Sequence, residues 1–170
     1  MPRPAPRIFI ADADVLIDFC DADASVLSIL VRALGAICVA SPVLAEVDNL
    51  DESAAASLGL RVIEPTYAMF AAEATKRGGL SSRDHLCLLM AKAEGWTCVT
   101  NDKALRKACG QEGVAVLWGL QMLGLAVEAG VLPGSSAEEV ARRISDANPL
   151  ITASLVEAFL DKYVRQRNEP

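Results

Sequence analysis

An α/β fold, a parallel β-sheet of about five strands flanked by helices with a helical C-terminal extension, is predicted by three features of the sequence. Short apolar runs rich in β-branched residues recur near positions 8–12, 36–40, 60–63, 96–100 and 114–117. Stretches of helical periodicity lie between and after them, the alternation that gives parallel strands with helices on both faces. Two runs also end on a carboxylate: Ile8-Phe9-Ile10-Ala11-Asp12, and Trp96-Thr97-Cys98-Val99-Thr100-Asn101-Asp102. In open α/β sheets the C-terminal edge of the strands is where ligands bind.

Each helix has local grounds. Residues 25–34 place Val26, Leu27, Ile29, Leu30, Val31 and Leu34 on one stripe and stop at Gly35. Ser41-Pro42 puts proline at a first helical position and predicts a helix through Leu44, Val47 and Leu50. Ser81 stands three residues before Asp84, a capping-box spacing that opens a helix with Leu86, Leu88, Leu89 and Met90. After Trp118 the pattern is wholly helical, over 120–130, 137–144 and 152–164, with breaks at Pro133-Gly134 and Asn148-Pro149. A stretch this short builds no core of its own, so one domain is expected over 1–170, with an α/β body at 8–118 and an extension at 119–170.

Composition narrows the chemistry. No run is long and apolar enough to span a bilayer, and too few apolar residues follow the basic stretch Met1-Pro2-Arg3-Pro4-Ala5-Pro6-Arg7 for a secretory leader, so a cytoplasmic protein with no membrane is expected. The five cysteines show no CxxC spacing and histidine occurs once, as His85, which disfavours disulfides and a zinc site. A net charge of −6 excludes a broad nucleic-acid-coating surface but not a nuclease with a local basic rim.

Four carboxylates map to the ligand-binding edge: Asp12 and Asp102 at strand ends, Glu46 a turn into the helix after the second strand, and Asp84 in the first turn of its helix. Singly, each has an ordinary structural explanation. Asp12 or Asp14 caps the first helix, Asp84 completes a capping box, Glu46 is a solvated helix residue, and Asp102 caps the helix bearing Leu105 and Ala108. Together they repel, by about 4 kcal/mol per pair at ~4 Å and an effective dielectric of ~20, unless a cation or proton sits between them. Oxygen ligands without histidine or cysteine point to Mg²⁺ or Mn²⁺.

These segments resemble the PIN-domain ribonucleases, most of all the VapC-like toxins of toxin–antitoxin systems. The likeness covers roughly residues 8–118. It rests on Asp12-Ala13-Asp14-Val15-Leu16 after an apolar strand, on Ser41 followed by Glu46, on Asp84-His85-Leu86-Cys87-Leu88-Leu89-Met90-Ala91, and on Thr100-Asn101-Asp102-Lys103. Asp14 departs from the usual Ser, Thr or Asn, and Leu105 and Arg106 stand where some members carry a further acid.

The resemblance implies a PIN-like, Rossmann-like three-layer fold and metal-dependent hydrolysis of RNA phosphodiester bonds. Asp12, Glu46, Asp84 and Asp102 would be the catalytic acids and metal ligands, with Asp14 an extra one. Thr100 and Asn101 would hydrogen-bond the carboxylates. Arg83 and Lys103 either meet phosphate oxygens or are ordinary surface charges. The implied partners are an RNA substrate, a cognate antitoxin and a second copy in a homodimer.

His85, adjacent to Asp84 and so on another helix face, reads as structural, and Trp96 and Trp118 as core. Arg142, Arg143, Lys162, Arg165 and Arg167 read as solvated faces. Two rivals remain. A haloacid-dehalogenase-like phosphatase would use Asp12 as nucleophile and Asp14 as general acid, although Thr100 to Arg106 lacks the downstream acid pair it needs. A catalytically silent PIN-like scaffold would bind RNA or protein without cutting.

Overall fold

A computed structural model describes residues 7–75 and 78–166. The basic N-terminal stretch before residue 7, and Arg167, lie outside the described residues. The chain runs β1 (Arg7–Ala11), α1 (Ala13–Asp23), α2 (Ser25–Leu34), β2 (Gly35–Ala40), α3 (Ser41–Leu44), α4 (Glu52–Ser57) and β3 (Arg61–Ile63). It continues through α5 (Tyr67–Glu73), α6 (Ser82–Glu94), β4 (Thr97–Val99), α7 (Lys103–Gln111) and β5 (Val116–Leu117). Three helices close it, α8 (Gly119–Glu128), α9 (Gly134–Ala147) and α10 (Ala153–Leu160), the last running into a π-helical turn at Asp161–Arg165.

The five strands form one parallel sheet in the order β3-β2-β1-β4-β5. The chain steps outward from β1 to β3, then crosses back over β1 to lay down β4 and β5. The reversal falls between β1 and β4, and a reversal of strand order opens a crevice at the C-terminal edge. Ala11 pairs with Val99 there, and the Asp12 amide donates to the Val99 carbonyl at 3.2 Å.

Burial explains the strand sequences. Phe9, Ile10, Ala11, Ile37, Cys38, Val39, Ala40, Cys98 and Val99 are all buried, as continuous apolar runs in a sheet covered on both faces must be. Gly35 begins β2 at φ 125° opposite Arg7, where an added Cβ would sit 2.3 Å from the Arg7 carbonyl oxygen. Only glycine lets the two backbones approach this closely. The core is continuous from β1 through Leu120, Leu123, Val140, Ile144, Ile151, Val156 and Leu160, so the C-terminal helices share apolar surface with the α/β body.

The helix expected over 41–50 is shorter than the sequence suggests. It stops at Leu44, and Glu46 lies beyond it in a turn whose amide donates to the Val43 carbonyl at 3.0 Å. Asp48 and Asn49 favour turns over helix, and Asn49 takes a left-handed conformation at φ 61°. The chain restarts at α4, where Asp51 accepts from the Ala54 amide at 2.8 Å. Helices α4 and α5 are additional to those expected. Among the described residues, no helix is long and apolar enough to cross a membrane.

Candidate active site

At the C-terminal edge of β1 a cleft of about 220 Å³ opens between α1, α3 and α6. Asp12, Asp14, Glu46 and Asp84 line it, with Ser81 and Arg83 on its wall. The local fold puts each acid in place. Asp12 leaves β1 in extended conformation and caps α1, its Oδ1 accepting from the Val15 amide at 2.9 Å. Asp14 is exposed in the first helical turn, where the helix N-terminus favours negative charge. Asp84 sits in the first turn of α6, whose cap Ser81 accepts from the Asp84 amide at 3.0 Å.

Asp12 is the electrostatic centre of the cleft. It is 2% exposed, and its Oδ2 accepts a hydrogen bond from the Thr100 hydroxyl. Burial pushes its carboxyl up to about 7; the Thr100 and Val15 hydrogen bonds oppose the rise, and the Asp14 and Asp84 charges add to it. Asp84 is raised too, by burial against the pull of Ser81, and then by Asp102 and Asp14. Behind them the buried Cys87 thiol is pushed well above its ordinary value by burial and by the Asp12 and Asp84 charges.

Asp102 does not line the cleft. It caps α7, with Oδ1 accepting from the Leu105 amide at 2.7 Å. Thr100 joins it to Asp12, since the Thr100 Oγ1 accepts from the Asp102 amide at 3.0 Å while its proton goes to Asp12. We expect Thr100→Val to raise the Asp12 pKa further, because the charged form loses its hydroxyl donor. The same change leaves the Asp102 amide without its acceptor, costing about 1–3 kcal/mol. An NMR titration of the Asp12 carboxyl carbon and a denaturation curve read the two effects.

Asn101 faces elsewhere. Its amide nitrogen donates to Asp18 at 3.1 Å and its oxygen accepts from the Gly119 amide at 3.0 Å, so its side chain is engaged away from the carboxylates it was expected to bond. Asp18, which sequence reasoning missed, is a buried acid on the apolar face of α1 among Val15, Leu16, Phe19 and Ala22. Asn148, just past α9, donates to both of its oxygens, at 2.9 and 3.1 Å. Burial raises Asp18 to about 6 despite these bonds. A carboxylate among apolar residues of one stripe was the signal.

Arg83 pairs with two glutamates, its Nε 3.3 Å from Glu46 and its Nη1 3.1 Å from Glu73. Glu73, at the end of α5 and buried, was also missed. Lys103 is exposed at the first position of α7. His85 is half-buried outside the cleft lining, and its Nδ1 is buried with no hydrogen-bond partner among the described residues. Trp96 packs partly buried against the core, whereas Trp118 is half-buried beneath the Arg106 guanidinium, 3.4 Å from its ring centre. All five cysteines are free thiols.

No family model matches this sequence, and no curated protein matches it. The fold has a counterpart in a PilT N-terminus domain protein from the hyperthermophilic archaeon Sulfolobus solfataricus, with a TM-score of 0.52 at 12% identity over 71% of this chain and 94% of that one. This chain has the PIN-domain fold. The acidic cleft thus stands at the C-terminal end of β1, one of the two strands between which the order of this sheet reverses.

The donor set of this cleft is of carboxylate oxygens, which suit a hard divalent cation, and the two most buried, Asp12 and Asp84, are raised by burial and then by the neighbouring acids. Among the described residues, no three such side chains stand close enough to form a ready-made cage.

Proposed function

We propose that this chain is a Mg²⁺- or Mn²⁺-dependent endoribonuclease that hydrolyses RNA phosphodiester bonds, and that it is the toxin of a toxin–antitoxin pair acting in the cytoplasm. One observation carries the reading: buried Asp12, flanked by Asp14, Glu46 and Asp84, at the strand-order reversal of a PIN fold. PIN domains as a class are metal-dependent nucleases.

Asp12 and Asp84 would hold the cation, with Glu46 and Asp14 reaching it from the cleft wall and Asp102 from beyond Thr100 through water. When bound, the ion supplies Lewis-acid charge for phosphodiester hydrolysis. Thr100 orients the Asp12 carboxylate and favours its ionised form against the effect of burial. Arg83 and Lys103 meet phosphate oxygens of the RNA. An antitoxin would seal the cleft by laying a cationic side chain among the carboxylates. Exposed Tyr67 and Phe70 on α5 supply apolar surface for a homodimer.

The phosphatase reading is disfavoured by the same geometry. Besides Asp12 and Asp14 such an enzyme needs a downstream pair of acids in the cleft, yet Thr100 to Arg106 supplies only Asp102, which caps α7 outside the cleft lining. The test sets single-stranded and structured RNAs beside an aryl phosphomonoester, with and without Mn²⁺ or Mg²⁺. Metal-dependent RNA products with no phosphomonoester turnover support the proposal. Phosphomonoester turnover alone would establish the phosphatase, and RNA binding without cleavage the scaffold.

A further inference from the structure

Arg83 is gripped on two sides by glutamates of opposite character. Glu46, on its Nε, has a side chain 51% exposed, whereas Glu73, on its Nη1, has one 9% exposed. An exposed pair is weak and readily exchanged with water, while a buried carboxylate that loses its partner has no water to turn to. The guanidinium is a rigid planar fork, with Nε and one Nη on an edge facing away from the other Nη. Glu73 and Glu46 therefore occupy different faces of one cation, and only the Glu46 face opens to the cleft lined by Asp12 and Asp84.

We infer that Glu73 is a positioning residue that keeps Arg83 in the cleft while Arg83 exchanges Glu46 for an RNA phosphate, releasing Glu46 toward the divalent cation. The inference rests on the ribonuclease reading and deepens it. Without RNA, Arg83 neutralises Glu46 and competes with the cation for it. With RNA, the Nε edge presents two parallel donors to a phosphate, a geometry that lysine cannot copy. Nη1 stays on Glu73, so the side chain does not swing into solvent when Glu46 leaves. No bond other than hydrogen bonds and ion pairs changes.

The experiment titrates Mn²⁺ alone into the full chain by calorimetry and, separately, measures kcat and KM for single-stranded RNA. Arg83→Gln should tighten Mn²⁺ up to about fivefold, because Glu46 no longer has a competing partner, yet raise KM for RNA about tenfold. A residue that merely supports the fold would move both in the same direction. Glu73→Gln should weaken Mn²⁺, since Arg83 then settles fully on Glu46, and raise KM with little change in kcat.

The double variant decides the matter: combined with Arg83→Gln, Glu73→Gln should have no further effect on either reading. Additive effects would mean that Glu73 acts by its charge alone, and weaker Mn²⁺ binding in Arg83→Gln would mean that Arg83 does not compete for Glu46. Either result overturns the inference. If the wild-type chain cuts no RNA but the Mn²⁺ changes take these signs and vanish in the double variant, the ribonuclease reading fails and the coupling of Glu73, Arg83 and Glu46 stands.

Discussion

Asp12→Asn should lower metal-dependent RNA cleavage about a thousandfold and, at pH 8, leave the chain more stable than wild type. The first effect follows from removing the buried carboxylate about which the cleft is built. Several kcal/mol of transition-state stabilisation, the usual worth of a catalytic cation, is about three decades in rate.

The second follows from linkage. The Asp12 carboxyl ordinarily titrates at 3.8 and is pushed to about 7 in the folded chain by burial, with Asp14 and Asp84 facing it. The folded state thus binds the proton more tightly than the unfolded one. Its contribution to stability is complete below about pH 4 and is lost as pH rises through about 7. At about 1.4 kcal/mol per unit, the loss at pH 8 approaches 4 kcal/mol. Asparagine carries no charge at any pH and still caps α1 through its oxygen. It offers an amide to Thr100, which returns about 1 kcal/mol of that gain. Denaturation curves at pH 5 and pH 8 should therefore show the variant's advantage growing with pH.

Gly124→Ala should destabilise the whole chain by about 2–3 kcal/mol, the upper range for overpacking a core. Gly124 lies in α8 directly beneath Tyr163, and a Cβ added there would stand 2.6–2.7 Å from three atoms of the ring. Tyr163 is buried with Phe159 against it at 5.6 Å between ring centres, so the ring must shift and break this packing for a Cβ to fit. Since α8 to α10 share a core with the sheet, the loss should appear as a fall of about 5–10 °C in a single melting transition. A separate early transition, with the main one unmoved, would show that the C-terminal helices fold apart from the body.

The elements that can be read from the sequence are those with a local signature. Ser25–Leu34 is bounded by its apolar residues and by Gly35, and the strands by short apolar runs between turn residues. Helix α4, Glu-Ser-Ala-Ala-Ala-Ser, has no apolar stripe to see, and α5 carries its exposed face as Tyr67 and Phe70. Val47 and Leu50 fall on helical spacing and predict a longer helix from Ser41, while the turn at Asp48-Asn49 decides the outcome.

Within the cleft, Asp12 and Asp84 are legible from position, because strand ends and helix starts share one edge of a parallel sheet, whereas Glu46 reaches it from the turn after α3 and not from the helix its spacing predicts. What escaped depends on contacts far apart in the chain. Glu73 gains its role only when α5 packs on α6 and delivers it to Arg83. Asn101 is claimed by Asp18 and by the Gly119 amide, neither of which has a signal in the Thr-Asn-Asp-Lys string.

The account stands on the cleft as the seat of the divalent cation, and Mn²⁺ paramagnetic broadening of backbone amide signals tests that most directly. Substoichiometric Mn²⁺ should broaden Ala13, Asp14 and Asp84 first, weaken Glu46 next, and spare the groove between Trp118, Leu155 and Tyr163 at the far helices. The pattern should vanish in Asp12→Asn. Broadening centred elsewhere, or unchanged in that variant, would contradict a metal-dependent active site at the strand-order reversal.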